Sequence, residues 1–316
     1  MPELPEIEHL RRSLEQPLAG ATIVRVDVLR ADVVRTGPAR PGGAPRRGRA
    51  AATALANQLG GARILDLDRR GKHLAIVTDA GVLDVHLGMS GQLFVVPGDS
   101  RASTGPASRH VHVRFRLRTR SGDHTLVFRD PRRFGGLWIV RDRAELNALC
   151  WSRLGPDALA TTPGVLGEAL SLVLSRRRRA VKAILLDQSL VAGIGNIYAD
   201  EALFRAGVHP ASPGGGLRSD DVQRLATEIH AVLGEAVRAG GSSIRDYRDG
   251  AGRPGSFARQ HAVYGRKGLP CLRCGAQLSG LSIGGRTTVH CPGCQPRRRS
   301  IRSGRRPISA VQSARA

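Results

Sequence analysis

The hydrophobic period of the chain changes near residue 150, which restricts it to a fold with two unlike parts. Before that point apolar residues recur at every second position. Val24, Val26 and Val28 alternate with Arg25 and Asp27, and Val111, Val113, Phe115 and Leu117 alternate with His112, Arg114, Arg116 and Arg118. A period of two is that of a strand with one buried face. Strand-like runs also cover Arg63–Asp68, His73–Thr78, Val82–Leu87, Gln92–Val96, His124–Arg129 and Leu137–Val140. About eight short strands separated by turn residues predict a β-sandwich. The Pro/Gly/Arg-rich stretch Thr36–Arg49 and the stretch Pro97–Ser108 read as loops. One helix is expected in this half, at the front. Pro5 suits a first helical position, Glu6 and Glu8 favour the positive helix end, and Ile7, Leu10 and Leu14 share a face.

Beyond residue 150 the spacing is helical. Leu166, Leu170, Val173 and Leu174 form one stripe, and Val222, Leu225, Ala226, Ile229, Leu233, Ala236 and Val237 another. Ser219 is placed to cap the second helix, with Asp220 and Asp221 in its first turn. Between them Ala180–Val208 reads as helix, turn and helix around Gly193-Ile194-Gly195-Asn196. Four of the five cysteines then follow as C-x2-C-x16-C-x2-C: Cys271, Cys274, Cys291 and Cys294. That spacing is a zinc ribbon's, and an odd cysteine count argues against a disulfide framework. Cys150, alone beside Trp151, reads as a small buried hydrophobe.

Charge narrows the class of partner. Lys and Arg outnumber Asp and Glu 49 to 26, a net charge of +23, and only Lys72, Lys182 and Lys267 are lysines. A GC-rich coding bias explains arginine over lysine but not the shortage of acids, so a polyanion such as nucleic acid is the expected partner. Apolar residues make up 41% of the chain, enough for a core. No transmembrane run or signal peptide is evident, so a cytoplasmic protein is expected, without a membrane partner.

Three clusters carry possible chemistry. Removal of Met1 would leave Pro2 as a secondary amine, and an α-amino group has a pKa of about 7.7–8.0. Near a positive helix end its neutral form is favoured, which makes it a nucleophile toward an aldehyde-like carbon, with Glu3 as general acid or base. The alternative is an ordinary frayed terminus. The Gly193–Asn196 turn offers backbone N–H groups to a phosphate at a helix N-terminus, or simply joins two helices. The loops Gly88-Met89-Ser90-Gly91 and Asp130-Pro131-Arg132-Arg133-Phe134-Gly135-Gly136 set Met and Phe beside arginines. These are either apolar wedges for parting a base step or plain core residues.

Taken together, the chain resembles the formamidopyrimidine-DNA glycosylases of base-excision repair. The resemblance rests on Pro2-Glu-Leu-Pro-Glu6, His86-Leu-Gly-Met-Ser-Gly91, Asp130-Pro-Arg-Arg-Phe-Gly135, the GIGNIYADE segment Gly193–Glu201, Val263-Tyr-Gly-Arg-Lys-Gly268 and the four cysteines, all in order to about residue 296. It implies an α+β multidomain protein. A catalytic β-sandwich with a leading helix spans 1–148, a helix–two-turn–helix domain 149–258 and a zinc-ribbon β-hairpin 259–296; the tail 297–316, basic and with little apolar periodicity, is itself expected to be disordered. It implies a monomer acting on double-stranded damaged DNA, with one structural zinc ion on Cys271, Cys274, Cys291 and Cys294. Pro2 is similar to the family's imine-forming nucleophile, Glu3 to its proton shuttle and Lys72 to its active-site lysine. Arg286 and Asn196 resemble the phosphate clamps. Met89, Arg132 and Phe134 resemble the residues that fill the vacated stack, and His86, Lys182, Gly195 and Tyr264 are further implied DNA contacts. The implied activity is excision of 8-oxoguanine and formamidopyrimidines, followed by β,δ-elimination.

The chain departs from the pattern in a longer Thr36–Ala54 segment, in Ser256 where an aromatic often stands, in Arg176–Arg179 replacing lysines, and in its basic tail. Competing readings are an endonuclease VIII-like enzyme for oxidised pyrimidines, a non-catalytic zinc-ribbon DNA-binding protein, and a zinc-ribbon RNA-binding protein. Leu4 with the Met89/Arg132/Phe134 set favours the purine-type enzyme, and Pro2, Glu3 and Lys72 together argue against mere binding.

Overall fold

The computed structural model describes residues 2–36, 46–98, 109–175, 177–243 and 247–297. The leading helix α1 (Leu4–Leu18) starts one residue before Pro5. Strand β1 (Thr22–Val28) and the short β2 (Val34–Thr36) and β3 (Arg46–Arg47) follow, and then a second helix, α2 (Arg49–Leu59). This helix corrects the expectation of a single helix in the first half. Its buried face is Ala51, Leu55 and Leu59, a spacing of four that follows directly on a Pro/Gly/Arg-rich stretch. Residues 37–45 of the expected loop, 99–108 of the next, Arg176, and the tail from 298 onward lie outside the described residues.

The remaining strands of this half are β4 (Ile64–Arg70), β5 (His73–Thr78), β6 (Val82–His86), β7 (Gln92–Pro97), β8 (Val111–Thr119), β9 (Gly122–Arg129) and β10 (Gly136–Val140). They form two sheets, ordered β1-β8-β9-β7 and β3-β2-β10-β6-β5-β4; among the described strands only β2 and β10 pair in parallel. The apolar positions of both sheets meet between them: Val113, Phe115, Leu117 and Phe128 from one, Leu74, Ile76, Val85 and Leu137 from the other. Val24 is an exception to the alternation. A register shift between Ile23 and Arg25 turns it outward, leaving it 47% exposed.

A short helix α3 (Arg143–Leu146) and the turn Asn147–Trp151 cover the outer face of the six-stranded sheet. There Cys150 is half-buried, and burial pushes its thiol up to about 12, so it packs as a hydrophobe. The second half contains α4 (Pro163–Leu174), α5 (Val181–Leu185), α6 (Asn196–Arg205) and α7 (Ser219–Arg238) around a core of its own. Ser219 is not the cap of α7 but its first helical residue. Arg218 stands at the cap, and its N–H donates to Asp221 at 3.3 Å. The last element is the hairpin β11 (Ser279–Ile283) and β12 (Arg286–His290).

Helix α1 belongs to both halves. Ile7, Leu10, Leu14 and Leu18 pack in the sandwich core, while Leu4 packs in the helical core. The N-terminus is thereby held at the junction.

Candidate active site

At that junction lies a cleft of about 680 Å³. Its wall is drawn from stretches far apart in sequence: Pro2 and Glu3, Met89 to Gly91 with Arg132, Asn196 and Ile197, Ser242 with Tyr247 and Tyr264, and Gly284 to Thr287.

Glu3 is buried, 1% exposed, and faces the open first turn of α6. It accepts hydrogen bonds from the N–H groups of Ile197 at 3.0 Å and Tyr198 at 3.5 Å. Those are donors that a helix leaves unpaired, at its positive end. Beside them the Leu4 N–H donates to the Gly193 carbonyl at 3.1 Å. The two glycines make this approach possible. A Cβ on Gly193, whose φ is +106°, would lie 2.2 Å from Leu4 Cδ1, and one on Gly195 would lie 2.1 Å from the carboxyl carbon of Glu3. The turn expected to cradle a phosphate thus docks the N-terminal segment, with Glu3 occupying the helix end; Gly195 serves Glu3.

Glu6, one turn further along, is a hub that the sequence did not single out. Its carboxylate accepts from the Glu3 N–H at 2.7 Å, the Tyr198 hydroxyl at 2.5 Å and the Ser242 N–H at 2.6 Å. Complete burial, reinforced by the charge of Glu3, pushes its pKa up to about 7 against the pull of those hydrogen bonds. In the sequence it stands out only as an acidic residue at the helix start and as the end of the Pro-Glu-Leu-Pro-Glu string.

Lys72 sits in the turn between β4 and β5. Asp157 fixes that turn, accepting from the Gly71 N–H at 2.7 Å and from Arg69 at 2.6 and 3.1 Å, while Arg69 also reaches Glu8 at 3.0 Å. Lys72 is not part of the cleft wall. Burial lowers its pKa, with Glu3 opposing and Arg286 adding to the effect.

Opposite stand the two Gly-bounded loops. The fully buried Asp130 ties them together, accepting from the Ser90 hydroxyl at 2.6 Å and the Gly135 N–H at 2.8 Å. Met89 is 40% and Phe134 55% exposed, which sets aside the core reading of both. The Arg132 guanidinium lies 4.7 Å from the centre of the Phe134 ring.

The hairpin closes the third side. The Asn196 amide donates to the Thr287 carbonyl at 3.0 Å, and Arg286 is exposed on the cleft. Lys182, expected at the DNA, is corrected here. It is fully buried, paired with Asp200 at 2.6 Å, and donates to Thr288 Oγ1 at 2.8 Å. Its ammonium braces the hairpin against α6, because a buried charge needs a partner more than it needs solvent. Glu201, next along α6, accepts from the N–H groups of Ala262, Val263 and Tyr264 at 2.9, 3.0 and 2.8 Å. Tyr264 is thereby held at the cleft. His86 stands away from the cleft wall, half-buried, and burial followed by the charge of His73 pushes its pKa down to about 3.

The four cysteines converge. Their sulfurs all lie within 4.8 Å of one another, with Cys271–Cys294 at 3.9 Å and Cys274–Cys291 at 3.4 Å. Tetrahedral zinc with ~2.3 Å bonds to sulfur needs S···S separations of about 3.8 Å, so these residues fit a metal ion. Backbone N–H groups of Arg273 and Cys294 point at the sulfurs of Cys271 and Cys291, each at 3.4 Å.

This geometry can be set beside known proteins. The family model of the formamidopyrimidine-DNA glycosylase N-terminal domain matches residues 1–137, and that of the same family's H2TH domain matches 154–248. A formamidopyrimidine-DNA glycosylase of Alkalilimnicola ehrlichii is 41% identical over 93% of this chain and 100% of its own length. The chain belongs to the formamidopyrimidine-DNA glycosylase family. The MutM (Fpg) crystal structure from Thermus thermophilus is 38% identical, with a TM-score of 0.76 over 94% of this chain and 99% of that one. The Lactococcus lactis Fpg, solved with DNA containing an abasic site, is 30% identical with a TM-score of 0.78, over 94% and 100% of the two chains. A mutant of that glycosylase was solved with Fapy-dG-containing DNA and has a TM-score of 0.79. Among the described residues no helix is long and apolar enough to cross a membrane.

Proposed function

We propose that the protein removes oxidised purines from double-stranded DNA and then cuts the strand, using the Pro2 amine exposed when Met1 is removed. The observation that carries this reading is the juxtaposition of Pro2 and Glu3 in the cleft wall with Arg286 on one side and Met89 and Arg132 on the other. The relatives' DNA complexes support the substrate class.

The neutral Pro2 nitrogen attacks C1′ of the damaged nucleotide, and the C1′–base bond breaks with its electron pair leaving on the base. Glu3 takes the proton that the Pro2 nitrogen sheds on bonding to C1′, and the base anion is protonated from solvent. The sugar ring opens as the nitrogen lone pair forms the iminium, Glu3 returning its proton to O4′. The iminium acidifies C2′–H. Loss of that proton expels the 3′-phosphate by β-elimination, a further proton loss expels the 5′-phosphate by δ-elimination, and water releases the sugar fragment from Pro2. Lys72, Arg286 and Asn196 meet phosphates, Arg132 faces the base left unpaired, and Met89 and Phe134 fill the gap in the stack. His86 and Tyr264 complete the DNA surface.

In this reading 1–148 is the catalytic unit, 149–258 the helical DNA-binding unit and 259–296 the hairpin. Zinc on Cys271, Cys274, Cys291 and Cys294 supplies folding energy to the hairpin and takes no part in bond breaking. Borohydride reduction in the presence of a duplex with one 8-oxoguanine opposite cytosine tests the proposal. A covalent adduct on Pro2, with Met1 absent, is expected. With Met1 absent, no adduct on this duplex or on one with an abasic site sinks the imine mechanism.

A further inference from the structure

The outer face of the six-stranded sheet carries a charged pair that the reaction above does not use. Its site is the cleft end of β5 and β6. His73 follows Lys72 directly, and its Nδ1 lies 2.8 Å from an oxygen of Asp84. Asp84 is fully buried, and its other oxygen accepts from the Trp151 indole N–H at 3.3 Å. A carboxylate so placed has lost its water, and a cation on the ring is what offsets that loss. Both oxygens of Asp84 face inward to partners, so the ring is fixed through Nδ1. Its Nε2 has no hydrogen-bond partner among the described residues, and the side chain is 20% exposed. The dyad thus presents one unengaged donor at the surface, next to Lys72.

We propose that His73, held by Asp84, is a second phosphate-binding cation beside Lys72, so that part of the protein's grip on the DNA backbone depends on protonation of this ring. The inference rests on the reading of the protein as a DNA-acting enzyme. It follows from position: His73 is paired in register with His86, with ring centres 4.8 Å apart, and His86 is three residues before Met89 on the cleft rim.

The groups around His73 set the sign of the response. Burial works against its charge, but the charge and hydrogen bond of Asp84 outweigh it and hold the imidazolium above its ordinary pKa. From β6, His86 is held neutral, so the two rings do not carry charge together. Lys72 from the turn, Arg70 opposite His73 on β4 and Arg35 beyond Trp138 on β2 are the nearby cations, and none outweighs Asp84. The Cys150 thiol, pushed up to about 12, adds no charge. A phosphate arriving at Nε2 favours the imidazolium further, so affinity falls as pH rises through the titration of His73.

The test is the dissociation constant of the full-length, zinc-loaded protein for a duplex with an uncleavable abasic-site analogue and for an undamaged duplex, from pH 5.5 to 8.5 and across salt. At pH 6.5, His73→Gln should weaken both about tenfold, the worth of one charge-assisted hydrogen bond. It should lower the slope of log affinity against log salt by about 0.9 and flatten the pH response. Asp84→Asn should keep the response but move it to lower pH. Because glutamine leaves Asp84 buried without a counter-charge, the double variant H73Q/D84N removes both charges and should repeat the loss. Equal affinity, slope and pH response in wild type, H73Q and the double variant overturn the proposal. So does a His73 ring that imidazole nitrogen NMR finds neutral at pH 6.5 with DNA bound. Failure to excise any lesion would overturn the enzymatic reading alone, since the undamaged duplex still reports the phosphate contact.

Discussion

Gly195→Ala isolates the role of the tight approach between the N-terminus and α6. The backbone of Gly195 is extended, φ −127° and ψ −162°, so alanine meets no conformational strain there. Its Cβ, however, would lie 2.1 Å from the Glu3 carboxyl carbon and 2.4 and 2.5 Å from the two oxygens. Restoring an ordinary contact of 3.4 Å moves the carboxyl group by about 1.3 Å, out of reach of the Ile197 N–H that it accepts from at 3.0 Å. A displacement of ~1 Å in a catalytic group costs about 100-fold in rate, and overpacking costs about 1–3 kcal/mol in stability. Single-turnover nicking of an 8-oxoguanine duplex should therefore slow by about two orders of magnitude, while affinity for undamaged DNA stays at the wild-type level. Gly164→Ala, where no atom lies within 4 Å of the added methyl, is the control and should nick normally. If G195A nicks at the control rate with unchanged stability, Glu3 is not placed by this contact and the reasoning fails.

Lys182→Met should lower stability by about 3–5 kcal/mol by stranding Asp200, yet leave the salt slope of DNA binding intact; Arg286→Ala should do the reverse, reducing the slope by about 0.9. Parallel urea melts and salt titrations separate the two. Phe134→Ala, at an exposed position, should change stability by no more than about 0.5 kcal/mol while slowing excision about tenfold or more, read by melting and single-turnover assays. Glu6, with its folded pKa raised from 4.5 to about 7, should make the protein lose stability as pH rises from about 4.5 to 7. The unfolded chain ionises this group first, so the loss is on the order of 3 kcal/mol and levels off above the folded pKa. Urea melts at pH 5 and 8 should show it in wild type and not in Glu6→Gln. A strong chelator should release one zinc ion per chain and abolish DNA binding, with recovery on zinc addition.

Much of this architecture could be read from residue types alone. The cysteine spacing, the alternating strands and the stripe of α7 are local signals, and each element formed where its signal lay. Helix α2 was missed because its apolar face is one alanine and two leucines behind an irregular, arginine-rich stretch. What local patterns cannot carry is the destination of a charge. Lys182 reads like any basic residue after an arginine run, and only the tertiary fold brings Asp200 and Thr288 to it. Glycines pose the same difficulty. Gly193 and Gly195 announced a close approach, but whether a phosphate or the N-terminal segment filled the space depended on residues about 190 positions away. Asp200, Glu201 and Tyr198 lay inside a motif singled out for other members, and their work is to hold the pieces of the cleft together.

The division of α1 between two cores has a consequence for synthesis. The N-terminal helix leaves the ribosome first, and the sandwich can take up Ile7, Leu10, Leu14 and Leu18 as soon as its strands exist. Leu4 and Glu3 must wait for Gly193 to Tyr198, whose donors complete their surroundings. A chain stalled or cleaved after the first half therefore holds Pro2 on a loose end, with the neighbouring carboxylate unpositioned. The cleft that Pro2 and Glu3 help to wall is complete only in the finished polypeptide, so in the proposed reaction translation itself acts as the safety catch.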